Sequence, residues 1–217
     1  MIKKTKFKGL IIIKNKTFKD KRGYFKELFR EKEINKKFPF IVMSQSKKNV
    51  IRGLHIQTSA KQGKFISVIK GKIFDVALDL RKGSKTFGKY FSIYLSEKNS
   101  LSIYIPPGFA HGFCGLEKEN YMLYSCTNYR HKNSEIGIRF NDETLKIKWP
   151  IKNPILSIKD KNGISFKEFL KKRWKIILFP NLLNQKRWIK IISKFLDKFI
   201  IIFLGAFIAY YVFWSHN

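Results

Sequence analysis

Short hydrophobic runs separated by glycine-containing turns dominate the middle of the chain. Five of these runs are rich in β-branched and aromatic residues, a composition typical of strands. They cover residues 65–69, 73–80, 89–95, 101–105 and 121–129. Runs that recur at a spacing of roughly ten residues, without helical periodicity between them, predict an all-β sandwich or barrel. The same pattern disfavours a parallel α/β sheet.

The flanks of this region are less regular. On the N-terminal side we predict a first strand over 7–13, a turn at 20–23, an extended run over 24–29 that places Phe25 and Glu27 on one side, and a short helix over 31–38. On the C-terminal side we predict one or two strands over 136–149, a proline-containing loop over 150–161, and a short helix over 165–175.

The stretch from Arg52 to Arg81 combines apolar runs with candidate chemistry. We interpret it as two strands behind a polar entry loop, with His55 at the mouth of that loop. Arg52 precedes the histidine by three residues and Lys64 follows it by nine. A base and two cations could therefore converge on one anion.

The C-terminal tail has a different composition from the rest. Residues 199–214 contain no charged side chain and are the most hydrophobic window of the chain. As a helix with about 1.5 Å of rise per residue, this window covers roughly 24 Å, slightly less than a hydrocarbon core of about 30 Å. We expect a tail anchor. A helix that lies on the membrane surface or packs on a partner subunit is the alternative.

Charges beside this window predict its orientation. Basic residues precede it, whereas Ser215, His216 and Asn217 follow it without a formal charge. The positive-inside rule then keeps the β-rich part in the cytoplasm, anchored to the inner face of the cell membrane. We divide the chain into a β-rich domain, 1–175, and a basic linker with a hydrophobic C-terminal segment, 176–217.

The overall charge is strongly positive, with 45 Lys and Arg residues against 15 Asp and Glu and a formal net charge of +30. Nucleic acid, an anionic membrane and an anionic small substrate all suit such a charge. Lysine is scattered over most polar positions instead of forming a stripe, so we predict no nucleic-acid partner.

Other compositional signals point to the cytosol. Cys114 and Cys126 are too few for a disulfide framework and lack metal-site spacing, so we expect two reduced, buried thiols. The apolar run near the N-terminus is too short for a secretory signal.

Seven sequence blocks carry a family resemblance. They are RGLHIQ (52–57), QGK (62–64), FDVALDLR (74–81), TFGK (86–89), IPPGFAHGF (105–113), YMLYSCTNY (121–129) and LSIKD (156–160). In this order the chain resembles the dTDP-4-dehydrorhamnose 3,5-epimerase family over roughly residues 5–175. The resemblance implies a cupin fold, a double-stranded antiparallel β-helix or jelly roll, here with a C-terminal hydrophobic helix. It also implies a homodimer formed by strand exchange near the N-terminus.

The family's reaction implies roles for three residues. It epimerises C3 and C5 of dTDP-4-dehydro-6-deoxy-D-glucose to dTDP-4-dehydro-L-rhamnose, which serves dTDP-L-rhamnose and surface polysaccharide synthesis, including lipopolysaccharide O-antigen. Proton removal beside a ketone needs a base, a group that stabilises the enolate oxygen, and an acid on the opposite face for inversion. The resemblance implies that His55 is the base, that Asp160 fixes its imidazole, and that Tyr124 is the acid.

The same resemblance implies the substrate-binding residues. Lys64 and Arg52 would stabilise enolate charge or hold a phosphate, for which a planar guanidinium is well suited. The remaining positions are His111, Arg22, Glu27, Glu135 and Lys159. Of these, Arg22 and Glu27 would reach the nucleotide of the other subunit.

No cofactor or metal is expected. Many cupins hold a metal through His-x-His and a later histidine, and here only the later element, Pro106-x-Gly108-x-x-His111, is present. His55 is followed by Gln57 at the second place, which leaves a divalent site short of ligands. The same departure disfavours a 3,4-ketoisomerase. That enzyme, a single-position epimerase and a non-catalytic, membrane-tethered nucleotide-sugar-binding cupin remain the alternatives.

One block departs from the family pattern. Ahead of RGLH, family members carry a Gln-x-Asn element whose amides contact the substrate. At that distance this chain has Phe40-Ile41-Val42, followed by Ser44, Gln45 and Ser46. Either the register shifts or those contacts are lost, which leaves the exact substrate and regiochemistry open.

Overall fold

The computed structural model describes residues 1–178 of the chain. The strands are β1 Ile2–Lys4, β2 Ile11–Lys14, β3 Thr17–Asp20, β4 Gly23–Lys26, β5 Phe40–Lys47, β6 Ile51–Gln57, β7 Lys64–Lys70, β8 Lys72–Asp79, β9 Tyr90–Ser96, β10 Leu101–Ile105, β11 Phe109–Gly115, β12 Glu119–Cys126 and β13 Glu135–Gly137. The helices are α1 Glu31–Ile34, α2 Ile158–Lys161 and α3 Phe166–Leu178, with a 3₁₀ turn at Lys132–Ser134.

Two antiparallel sheets form the body of the domain. The larger has the strand order β1-β2-β10-β7-β12-β5, and the smaller has the order β13-β6-β11-β8-β9. Strands β3 and β4 form a separate hairpin. Neighbours in both sheets come from distant parts of the chain, as β10 and β7 do in the larger one. This is the all-β, double-layered jelly roll that the family resemblance implies.

The core lies between the two sheets. Ile66 of β7 and Met122 of β12 come from the larger sheet, whereas Ala77 of β8 and Phe113 of β11 come from the smaller one, and all four are buried in one hydrophobic cluster. Every residue of β11 is buried, so this strand has no solvent-facing side. Because alternate residues of a strand share one face, Phe109 and Phe113, which belong to the core, lie on the same face of β11 as His111.

All five strands predicted in the central region are confirmed, with boundaries within three residues. The prediction of an entry loop around His55 is wrong, because the histidine lies inside β6 and pairs there with β11 and β13. A continuous strand over 7–13 is also wrong, since β2 begins at Ile11 after a turn. The sequence does not predict strands β5 and β11. Of the one or two strands predicted over 136–149, only Ile136 and Gly137 lie in a strand, β13.

Helix α3 confirms the helix predicted near residue 165. The hydrophobic tail at 199–214, with its assignments as C-terminal helix and membrane anchor, lies outside the described residues, as does most of the segment 176–217. Over residues 1–178, none of the helices combines the length and hydrophobicity needed to cross a bilayer.

Gly71 provides a test of the corner between the sheets. It joins β7 of one sheet to β8 of the other at φ +86°, and a Cβ there would lie 2.3 Å from the Glu119 carbonyl oxygen. Gly71→Ala should combine left-handed backbone strain of about 1–2 kcal/mol with an overpacking cost of about 1–3 kcal/mol. Urea unfolding at a constant m-value measures the sum.

Gly83→Ala is the matched control. Gly83 has a similar φ of +73°, but nothing lies within 4 Å of the added Cβ. We expect the control to lose only the backbone term of about 1–2 kcal/mol. Equal losses in the two variants would contradict a steric role for the close approach at Gly71.

Candidate active site

A cavity of about 380 Å³ opens between the two sheets. Alternate residues of β11 and of β12 face it, as expected for extended chain. Its lining includes Phe40, Val42 and Ser44 from β5, His55 from β6, Lys64 from β7, Phe109, His111 and Phe113 from β11, and Tyr124 and Cys126 from β12. Glu135 of β13 lines it as well, so six strands and the α2 region bring distant sequence blocks together.

His55 contacts Asp160 on one side of its ring. The His55 Nε2 atom lies 2.7 Å from Asp160 Oδ1, although its alignment is too poor for a regular hydrogen bond. The carboxylate is fixed by the Ser157 hydroxyl at 2.7 Å and by the Gly53 N–H at 3.2 Å. Ser157 also caps α2 by accepting the Asp160 N–H. The helix start thus fixes the carboxylate beside the imidazole.

Electrostatics keep Asp160 ionised. Burial by itself would raise the pKa of this carboxyl, but His55, Ser157 and the Gly53 N–H outweigh it, so the pKa lies below its ordinary value. An ionised carboxylate at Nε2 favours a proton on that nitrogen. His55 Nδ1 is then the nitrogen that can accept a proton.

Glu135 faces the other ring nitrogen. Its Oε1 atom lies 3.6 Å from His55 Nδ1, while Lys159 donates to the same carboxylate at 2.6 Å and Arg130 at 3.0 Å. Burial would raise the pKa of Glu135, but Lys159 and Arg130 lower it overall. The two cations compete with the imidazole for this carboxylate and draw it away from a short contact with Nδ1.

Tyr124 lies in the same cavity on β12. Its hydroxyl is 3.1 Å from Ser44 Oγ, and its ring meets that of His111 edge-on with centroids 6.2 Å apart. Burial raises the pKa of Tyr124 above its ordinary value, and the Ser44 hydrogen bond opposes this only in part. The phenol is protonated at neutral pH and can donate a proton.

His111 forms a second histidine–carboxylate pair. Its Nε2 atom lies 2.8 Å from Asp75 Oδ2, and both side chains are almost fully buried. Burial lowers the pKa of His111 despite the attraction of Asp75, which favours a neutral ring. His111 is the β-sheet partner of His55, so the two rings belong to adjacent strands. Asp75 was not singled out from the sequence, although it lies in the FDVALDLR block.

Two cations line the cavity near these groups. Burial lowers the pKa of Lys64, while Cys126 and the carboxylates Glu135 and Asp75 counteract it. Among the described residues, no hydrogen-bond acceptor is assigned to Lys64 Nζ, so its donors are available to a ligand. Arg52 is fixed by Ser46 Oγ and the Gln45 carbonyl, each at 3.0 Å.

Two predicted substrate residues lie elsewhere in the chain. Arg22 is exposed and pairs with Asp20, whereas Glu27 pairs with Arg30 beyond the β3–β4 hairpin. Neither residue lines the cavity of its own chain. A reach into another subunit stays a prediction.

The cavity wall formed by β5 is largely apolar. Phe40 and Val42 line it at the point where the family pattern would place amides. Ser44, two residues further on, supplies a hydroxyl to this wall, and Arg130 adds a cation to the cavity lining. The sequence does not single out either residue as functional, because no motif contains Arg130 and Ser44 only follows the block that departs from the family pattern.

Over the described range, 1–178, no three His, Cys, Asp or Glu side chains are grouped so that they could hold a metal ion.

Comparisons with known proteins agree on one family. The family model described as dTDP-4-dehydrorhamnose 3,5-epimerase matches residues 4–168. The chain is similar to a dTDP-4-dehydrorhamnose 3,5-epimerase of Shigella flexneri, with 42% identity over 170 residues that cover 75% of this chain and 94% of the relative.

Solved structures are similar as well. A dTDP-6-deoxy-D-glucose-3,5-epimerase from Legionella pneumophila, in complex with dTDP-4-keto-L-rhamnose, has a TM-score of 0.74 and 40% identity, covering 77% of this chain and 93% of its own. A 3′-monoepimerase from Streptomyces bikiniensis, in complex with dTDP-quinovose, has a TM-score of 0.72 and 25% identity. The match covers 77% of this chain and 89% of the monoepimerase chain.

The lowered pKa of Asp160 predicts an acid-dependent loss of stability. A carboxyl whose folded pKa lies below its ordinary value of 3.8 stabilises the fold above that pH, and this contribution is lost as the pH falls through the folded pKa. We expect the free energy of unfolding of Asp160→Asn to decline less steeply than that of the parent below about pH 4. Urea unfolding between pH 7 and pH 3 measures the decline.

Glu143→Gln provides the control, because Glu143 is an exposed carboxylate outside the cavity. The free energy of unfolding of this control should fall with pH as steeply as that of the parent protein. An unchanged decline in Asp160→Asn would contradict the stabilising contacts assigned to this carboxylate.

Proposed function

The chain belongs to the dTDP-4-dehydrorhamnose 3,5-epimerase family, and we propose that the cavity around His55 inverts C3 and C5 of dTDP-4-dehydro-6-deoxy-D-glucose to give dTDP-4-dehydro-L-rhamnose. One observation carries this proposal. An imidazole beside a buried carboxylate and a protonated phenol line a single cavity, together with His111 and cations. A base and an acid on separate strands are what inversion at carbon requires.

The proposed reaction consists of two proton transfers, one to His55 and one from Tyr124. His55 Nδ1 removes the proton from a carbon next to the C4 ketone, and the electron pair moves onto the ketone oxygen to form an enolate. Tyr124 then donates its phenolic proton to that carbon from the opposite face, and the ketone is restored. Asp160 stabilises the imidazolium that forms in between.

The cations and His111 have separate proposed tasks. Lys64 has free donors and a pKa lowered by burial, which suits it to the enolate oxygen. His111, neutral and with its Nε2–H directed at Asp75, can accept one hydrogen bond from the substrate at Nδ1. Arg52 offers a rigid guanidinium to the diphosphate. Glu135 and Lys159 form a linked pair at the cavity edge that can bind sugar hydroxyls.

A single-position epimerase is the second candidate. Its support is the similarity to the 3′-monoepimerase fold and the apolar Phe40 and Val42 in the cavity wall. Those residues change how the sugar is held without removing the base or the acid. The number of carbons that exchange protons separates the two candidates.

Assembly and location are further parts of the proposal. We propose a homodimer in which Arg22 and Glu27 reach the partner's nucleotide, because both are on or beside an exposed hairpin and outside their own cavity. We also propose that residues 199–214 tether a cytoplasmic catalytic domain to the membrane, near the enzymes that consume the sugar for polysaccharide synthesis. Support for the tether is the uncharged window and its basic flank.

Deuterium exchange tests the reaction. In D₂O the protein should incorporate deuterium at both C3 and C5 of dTDP-4-dehydro-6-deoxy-D-glucose. His55→Ala should abolish exchange at both carbons, whereas Tyr124→Phe should reduce net inversion by about 10²–10⁴-fold and spare exchange. NMR of the sugar measures both quantities. Deuterium exchange at one carbon only would establish the single-position candidate. If a folded protein binds the nucleotide sugar but exchanges at neither carbon, the proposal that it is an epimerase is wrong.

Lys64→Met should separate activity from stability. Lys64 is half-buried, and removing its charge relieves a desolvation cost, so the free energy of unfolding should stay constant or rise. Loss of the enolate contact should lower kcat/KM by about 10²–10³-fold. Lys61→Met, at an exposed lysine three residues earlier, should change neither quantity. Full activity in Lys64→Met would contradict the proposed role.

A further inference from the structure

Ser44 has an unusual position for a residue outside the family's sequence blocks. It lies on β5, pairs with Met122 of β12, and its side chain lines the cavity. Its Oγ atom is 3.1 Å from the Tyr124 hydroxyl. The other contact of that hydroxyl is Met122 Sδ at 3.8 Å, and a thioether is a weak acceptor without a proton to give. Among residues 1–178, Ser44 is thus the assigned hydroxyl partner of the phenol.

Double inversion creates a problem of proton balance that rests on the proposed function. The first inversion moves one proton from carbon to His55 and one from Tyr124 to carbon. The protein is left with an imidazolium and a phenolate. A second inversion from the same face needs a neutral imidazole and a protonated phenol. Both groups must therefore be reset while the substrate stays bound.

Ser44 offers a route for this reset. We propose that Ser44 is a positioning residue that relays a proton from cavity water to the Tyr124 phenolate. The Ser44 O–H bond breaks as the phenol O–H bond forms, and Ser44 Oγ takes a proton from water. His55 returns its proton to water, so the cycle neither gains nor loses protons.

The surroundings favour this direction of transfer. Burial disfavours the phenolate, so Tyr124 takes up a proton readily once it has lost one. Ser44 is only half-buried on a strand at the edge of the larger sheet, so its hydroxyl can meet solvent and the phenol together. The serine also fixes the phenolic oxygen on the β12 side of the cavity.

A set of substitutions tests the relay. In Ser44→Ala, the first carbon should exchange deuterium at close to the parent rate, whereas formation of the doubly inverted sugar should fall by roughly 10- to 100-fold. Singly inverted sugar should accumulate in a single turnover. Ser44→Thr keeps a hydroxyl and should restore most of the double inversion. The thermal unfolding of each variant shows whether it folds.

A double substitution makes the test specific to Tyr124. Because the relay acts through the phenol, Ser44→Ala should cause no further loss in a Tyr124→Phe background. Additive losses, or a parent-like ratio of doubly to singly inverted product in Ser44→Ala, would overturn the relay. If the parent protein itself exchanges at neither carbon, the proposed function fails instead, so the two failures are distinguishable.

Discussion

The contact between His55 and Asp160 is the constraint on which the site depends. A carboxylate that is almost fully buried must be stabilised by donors, and strand β6 and the start of α2 meet to supply them. The Gly53 N–H donates to Asp160 across 107 positions of sequence, and Ser157 connects the same carboxylate to the start of α2. The position of α2 against β6 is therefore set by an electrostatic requirement as well as by packing.

The same requirement organises the rest of the cavity. Charge enclosed between two sheets is costly unless opposite charge or hydrogen bonds accompany it. Glu135 is paired with Lys159 and Arg130, and His111 is paired with Asp75. The lysine on β7 differs from these groups, because its donors face the cavity without an assigned acceptor. A site with paired anions and an open cation suits a substrate that develops negative charge.

The jelly roll explains how these groups meet. Strands β6 and β11 are neighbours in the smaller sheet, and their register places His111 opposite His55. Strands β5, β7 and β12 approach from the larger sheet and add the phenol, the lysine and the serine hydroxyl. Strand alternation turns these side chains inward while their neighbours fill the core or face solvent. The fold thus positions the strands that line the cavity, and the side chains on those strands supply the reactive groups.

The sequence by itself determined the β-rich class and most central strands, and its motif blocks supplied His55, Asp160 and Tyr124 as candidates, because glycine turns and motif blocks are local features. It did not determine that His55 lies inside a strand, since that depends on pairing with β11 and β13. It also missed Asp75, Arg130 and Ser44 as members of the site. Only the tertiary structure decided these points, because partners of a buried charge are set by which strands lie side by side, and a strand's neighbours are distant in sequence.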